Sequence, residues 1–207
     1  LYVGMSGGIS GTAQAAVIAA GELTEKYPAR RIVTIDTYAA SLGEGLQVLE
    51  AARMIEEGKS LDEIKTHLLA RRPHVCQFFT VDDLAYLKRG GRISKTVAAA
   101  GALLNIKPVI TIEDGAIALI GKARGSKQGN NLLVKKIQES GGVDFSLPVL
   151  LGYTGVTDVL LKKYVEDSRA LWENGLAKPD SVQVSSVIGA HAGPGAVVAA
   201  FFRKENG

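Results

Sequence analysis

Apolar residues along the first part of the chain recur at two spacings, and the switches between them outline the elements. Leu1, Tyr2 and Val3 run into a glycine-rich turn, after which Ala16, Ala19, Leu23 and Tyr27 return at helical spacing until Pro28 stops the pattern. That reads as a strand, a turn and a helix from about Thr12. Ile32 to Asp36 is a short apolar run of the kind buried on both faces of a parallel sheet. Leu42, Leu46, Leu49 and Ala52 share one face of a second helix that ends near Gly58. Ser60 and Glu63 have the spacing of a reciprocal capping box for a third helix, which Pro73 closes. Gln77 to Val81 predicts a strand, and Asp82 or Asp83 caps a short helix through Lys88.

The second half changes character. Lys107 to Glu113 and Ala116 to Gly121 are β-rich runs joined by Asp114-Gly115, a pair suited to a two-residue hairpin because both positions tolerate positive φ. Ser126 to Ser140 predicts a helix, Leu147 to Tyr153 a strand, and Asp158 to Asn174 one long helix carrying Leu160, Leu161, Tyr164 and Trp172. Val182 to Ile188 and Val197 to Phe202 read as two last strands flanking a glycine-rich junction from Gly189 to Gly195. The fold class expected is α/β: a parallel-sheet α/β/α part over residues 1–80, then a smaller mixed-sheet α/β part over residues 81–207.

Composition narrows the function classes. With 46% hydrophobic residues in 207, the chain can bury a substantial core. No apolar run approaches the roughly 18 residues that span a bilayer, and no leader pattern precedes the first strand, so a cytoplasmic protein is expected. A single cysteine, Cys76, sits among apolar neighbours as a structural thiol. The net charge of +3 and scattered basic residues give no nucleic-acid footprint. The chain opens on Leu1 already in a strand, from which we expect preceding sequence to be missing.

Ser6-Gly7-Gly8-Ile9-Ser10-Gly11-Thr12 places hydroxyls and small residues between a strand and a helix. Free backbone N–H groups and the positive helix end at such a turn favour a carboxylate or phosphate, although Ser10 as a simple cap explains the same pattern. Gly4-Met5-Ser6-Gly7-Gly8 also matches G-x-S-x-G, and Asp158 or Asp180 followed by His191 gives the residue order of an α/β-hydrolase triad. A nucleophile elbow starts its helix at the serine, however, and here Ile9, Ser10 and Gly11 intervene. Nucleotide motifs fail on spacing: Val48 stands where a third glycine would follow Gly43 and Gly45, and Gly115 to Lys122 is too long for a P-loop. His67 and His74 have no ligand-spaced partners, so no metal site is expected. His191 differs in lying in the glycine-rich junction, where backbone can approach a ligand. Lys88, Arg89, Arg92 and Lys95 form one basic cluster and Lys122, Arg124 and Lys127 another, both readable as solvated charge.

Together these segments resemble the DegV family. Ser6 to Gln14 is similar to its S-S-x-x-S-G-T-x-Q turn, with Gly7 in place of the second serine. Asp83-Leu84-Ala85-Tyr86-Leu87-Lys88-Arg89-Gly90-Gly91-Arg92-Ile93-Ser94 resembles the D-L-x-Y-L-x-x-G-G-R-I-S signature. Leu103-Leu104-Asn105-Ile106-Lys107-Pro108, Asp114-Gly115, Lys122, Arg124 and Ile188-Gly189-Ala190-His191-Ala192-Gly193-Pro194-Gly195 follow in family order. The resemblance implies two α/β domains with a long-chain fatty acid buried between them, needing no cofactor. Its carboxylate would be held by Ser10 foremost, then Ser6, with Gly11, Gly189, Ala190 and His191 around it. It further implies a carrier, not an enzyme, that presents the acid to a fatty-acid kinase, with Arg124 and Lys122 toward the acyl-phosphate or the partner. A peripheral membrane contact for lipid exchange belongs to the same expectation. The family's earlier T-S-x-P-S segment has no counterpart in this sequence. A serine hydrolase using Ser6 and His191 is the alternative.

Overall fold

The computed structural model describes residues 1–94, 105–173, 175 and 180–204. Lys95, Leu103, Leu104 and Asn174, named above, lie outside the described residues, as does the side chain of Asp180. Strand β1 (Tyr2–Gly4) leads through the serine-glycine turn into helix α1 (Thr12–Lys26), and β2 (Thr34–Asp36) returns parallel to β1, Val3 facing Ile35. Helices α2 (Leu42–Glu56) and α3 (Leu61–Arg71) follow, the second opening on the expected Ser60–Glu63 capping box, and a single 3-10 turn (Arg72–His74) contains Pro73.

Among the described residues, six further strands make one mixed sheet. They are β3 (Val75–Thr80), β4 (Ile106–Glu113), β5 (Ala116–Arg124), β6 (Leu150–Tyr153), β7 (Asp180–Gln183) and β8 (Val197–Phe202), in the order β5-β4-β3-β8-β6-β7. All neighbours are antiparallel except β6 and β7. The β4–β5 hairpin turns at Asp114 and Gly115 with φ of 49° and 79°, the two positive values a type I′ turn requires. Strand β8 is central and wholly buried, which is why Val197 to Phe202 carries no polar residue. The mixed sheet is the larger of the two, reversing the sizes expected. A division at Thr80 would also detach β3 from the strands it pairs with, β4 and β8.

Helix α5 (Gly125–Glu139) and α6 (Val159–Asp167) cover one sheet face, where Leu133, Ile137, Tyr164 and Phe201 pack together. The predicted single helix from Asp158 breaks at Ser168, and α7 (Arg169–Trp172) starts afresh. The buried Ser168 hydroxyl donates back to the Tyr164 carbonyl and accepts the Trp172 indole N–H at 2.8 Å. This local bonding competes with a continuous helix ladder. On the other face, α2 sets Leu42 and Leu46 against Val198, Ala200 and Phe202. Further along, its Ala51 and Met54 pack with Ile35 of β2 and Ile64 and Leu68 of α3. One helix therefore joins both sheets. By contrast, α1 fully buries only Ala13, and Leu23 and Tyr27 of the predicted stripe stay 41% and 47% exposed, since among the described residues little beyond β1 and β2 packs against it.

Glu50, 1% exposed, ties α2 to α3. It accepts two bonds from Arg53 at 2.7 and 2.9 Å and one contact from His67 Nε2 at 2.8 Å. The Arg53 hydrogen bonds, outweighing burial and assisted by His67, hold its carboxyl below the ordinary 4.5. A depressed folded-state value means the stabilisation is complete above pH 4.5 and is lost as pH falls through the lower, native value. Glu50→Gln is expected to flatten the fall of the urea midpoint in that acid range; an unchanged acid slope would refute the assignment.

Candidate functional site

The turn after β1 is built around Ser6. Its backbone N–H donates to the Ala39 carbonyl at 2.8 Å, and its own carbonyl accepts from Ile9 and Ser10, each at 3.0 Å. The hydroxyl, completely buried, donates to the Gly115 carbonyl at 2.7 Å and accepts the Gly8 N–H at 3.2 Å. Ser6 thus fastens the turn to the β4–β5 hairpin 109 residues away. Gly8 allows this close approach, because a Cβ there would lie 2.5 Å from the Gly115 carbonyl oxygen. Asp36, at the end of β2, braces the turn from below by accepting from Gly7 N at 3.0 Å and Tyr38 N at 2.9 Å.

Ser10 is placed differently. Half-buried at the head of α1, it pairs with the Thr12 hydroxyl at 2.6 Å and accepts the Thr12 N–H at 3.3 Å. If Thr12 donates its hydroxyl proton, that of Ser10 is left to point elsewhere. Beside it opens a cavity of about 150 Å³. Its wall is mostly apolar, with Ile9, Phe79, Ile112 and Val198 among the contributors, and Ser10, Arg92 and His191 line it too. A neighbouring depression that shares Met5, Ser41 and Ile188 with the cavity includes Glu44 of α2, whose carboxyl burial pushes up against the opposing pull of the Met5 N–H.

His191 reaches the cavity from helix α8 (Ser186–Ala192), where a strand through Ile188 was expected. Strand β7 stops at Gln183, and an apolar run this short fits either element until its packing decides. The helix explains which predicted neighbours reach the site. Ile188, His191 and Ala192 are i, i+3 and i+4 on one face and line the cavity. Gly189 and Ala190 turn away: Gly189 faces a separate shallow depression with Pro194, and Ala190 is exposed. Gly11 is exposed at the N-terminus of α1 and outside the lining. Lys122 and Arg124 are exposed on β5, also outside it.

The signature segment forms the bed for α8. Helix α4 (Ala85–Arg89) ends at Gly90, where a Cβ would lie 2.1 Å from His191 Nδ1, so only glycine lets the imidazole settle there. A Cβ on Gly193 would meet the Tyr86 ring at 2.6 Å. Arg92 bonds the Gly90 carbonyl through Nη1 at 2.6 Å and is the one of the signature's three cations, Lys88, Arg89 and Arg92, that joins the cavity lining. In the sequence Arg92 reads as solvated charge, and its place directly after the Gly90-Gly91 pair is the one local signal that sets it apart. Cys76 is a partly buried thiol whose pKa burial pushes up, away from reactive thiolate.

A hydrolase needs Ser6 free to attack. Its proton is committed to Gly115, it does not line the cavity that holds His191, and Asp158 pairs with Lys162 at 3.1 Å. No elbow is formed, since α1 begins at Thr12.

The fold and cavity define a mixed α/β protein that carries an apolar pocket under a serine-glycine turn. The family model described as "Uncharacterised protein, DegV family" matches residues 1–204, and the chain belongs to that family. A DegV domain-containing protein of Clostridium perfringens is 45% identical over 140 residues, covering 67% of this chain and 48% of that protein, so the match spans about half its length. A DegV family protein from Thermus thermophilus, described for its fatty acid binding, superposes with TM-score 0.80 at 32% identity over 96% of this chain and 69% of that one. The Streptococcus pneumoniae Fatty Acid Kinase (Fak) B3 protein, loaded with linoleic acid, shares the fold with TM-score 0.85 at 23% identity, covering 97% and 70%. No helix among the described residues is long and apolar enough to cross a membrane.

Proposed function

We propose that this chain binds a long-chain fatty acid in the cavity, its carboxylate at the end bearing Ser10 and His191 and its tail along Ile9, Phe79, Ile112 and Val198. The observation that carries this is that Ser10 and His191, from opposite ends of the sequence, line one mostly apolar cavity. The fatty acid binding described for the Thermus thermophilus relative supports it. Burying each methylene yields about 0.8 kcal/mol, so a long tail supplies most of the gross driving force, whereas one charged hydrogen bond adds about 1.5–3 kcal/mol. The head group therefore governs orientation more than affinity. Arg92, exposed and part of the lining, adds a positive charge beside the carboxylate.

The same reading makes the chain a carrier that offers its acid to a separate fatty-acid kinase. The kinase brings ATP and magnesium, while this chain contributes position and charge. Exposed Lys122 and Arg124 then face the partner or the acyl-phosphate, and Ser6 acts indirectly by holding the turn that carries Ser10.

Native mass spectrometry of the gently purified protein is expected to show added mass equal to a fatty acid. Ser10→Ala and His191→Ala are each expected to weaken binding by about ten- to a hundredfold and to reduce phosphorylation of the bound acid by the kinase further still. No bound lipid, or equal phosphorylation of wild type and both variants, would count against the proposal.

A further inference from the structure

Gln77 is a polar residue of the cavity wall that fatty-acid binding leaves unused. It stands on β3 opposite Ala200 of β8, and strand alternation turns it, with Phe79, toward α2 and the cavity. Only 4% of its surface is exposed. Its backbone carbonyl accepts the Thr111 hydroxyl at 2.8 Å, but its side-chain amide has no hydrogen bond to any described residue. Thr154, another polar lining residue, is already engaged, donating to the Gly193 carbonyl and accepting the Ala196 N–H at 2.9 Å. The fold makes room for the amide: a Cβ on Gly43 would lie 2.5 Å from Gln77 Oε1.

The strand register locates this amide along the cavity. Helix α8 runs through Gly193 and Pro194 into β8, so His191 lies near the start of that strand. Ala196 and Val198 line the cavity, whereas Ala200, facing Gln77, is completely buried and outside the lining. Gln77 therefore lies roughly 10 Å along β8 from Val197, beyond the last residue of that strand in the lining. A plain hydrocarbon reaching this point would leave a buried amide unpaired, which is unfavourable.

We propose that Gln77 is a specificity-determining residue, selecting acyl chains that carry a hydroxyl group remote from the carboxylate. This rests on the fatty-acid reading of the cavity. A hydroxyl both donates and accepts, so it pairs with the amide whichever way the amide is turned. A site built around such a group discriminates against the analogue that lacks it, because the site's own polar atoms are then left unsatisfied.

The test is to titrate octadecanoic acid and a positional series of monohydroxylated octadecanoic acids into the whole chain and into Gln77→Leu and Gln77→Met. Wild type is expected to favour a remote-hydroxyl isomer over the plain acid by about tenfold, with no gain for isomers hydroxylated beside the carboxylate. Both variants are expected to lose that preference while binding the plain acid at least as tightly, which also reports that they fold. Equal binding of plain and hydroxylated acids by wild type, or a preference that survives both substitutions, would overturn the role of Gln77 and leave the carrier reading standing. Failure of every acid to bind wild type would overturn both.

Discussion

Val198→Phe is expected to cut acyl binding by about a hundredfold while leaving the chain folded. Val198 lines the cavity and is 8% exposed, with Leu42 and Leu46 of α2 packed beside it. A larger ring there has the cavity itself to occupy, so it displaces ligand before it strains the core. Each methylene kept out forfeits about 0.8 kcal/mol, and three or four of them account for about 3 kcal/mol, near two decades in affinity. Displacement of a fluorescent fatty acid reads the affinity, and a urea midpoint near wild type shows that packing survived. Undiminished binding would mean that the tail lies somewhere else.

Gly193→Ala is expected to lower stability by about 3 kcal/mol, combining backbone strain and overpacking that each cost about 1–3 kcal/mol. Its φ of 78° with ψ of 169° belongs to a region open essentially to glycine alone, and a Cβ would press on the Tyr86 ring at 2.6 Å. Gly189→Ala is the control, since a Cβ there meets nothing within 4 Å and the residue is helical. Urea denaturation should show a clear drop in midpoint for the first and little change for the second. A Gly193 variant as stable as wild type would show that α8 can reseat at no cost.

The elements with strong local signals were legible in the residues themselves. The Ser60–Glu63 box, the Asp114-Gly115 turn and the unbroken apolar run of β8 each contain their own structural cause. What escaped depends on distant partners. The break at Ser168 arises from a hydroxyl that answers both Tyr164 and Trp172, and helix α8 is chosen by its packing on α4. Taken as a strand junction, residues 189–191 all seemed available to a ligand; wound as a helix, only His191 of the three faces the cavity. Ser6 and Ser10 look alike in sequence, yet one is consumed in holding the hairpin and the other faces open space, a difference set by Gly115 over a hundred residues away. Arg92 and Gln77 are not legible as cavity residues, because a charge just beyond a short helix and a lone amide in a strand carry no pattern of their own.

The central place of β8 has a consequence for biosynthesis. Strand β3 waits for a neighbour encoded some 120 residues downstream, Val75 pairing with Phe202 and Thr80 with Val197. Until the ribosome releases that segment, Leu42 and Leu46 of α2 lack Val198, Ala200 and Phe202, the β8 residues they close against. The nascent protein therefore emerges with its greasy interior open, which makes slow assembly and reliance on chaperones the expected course of its synthesis.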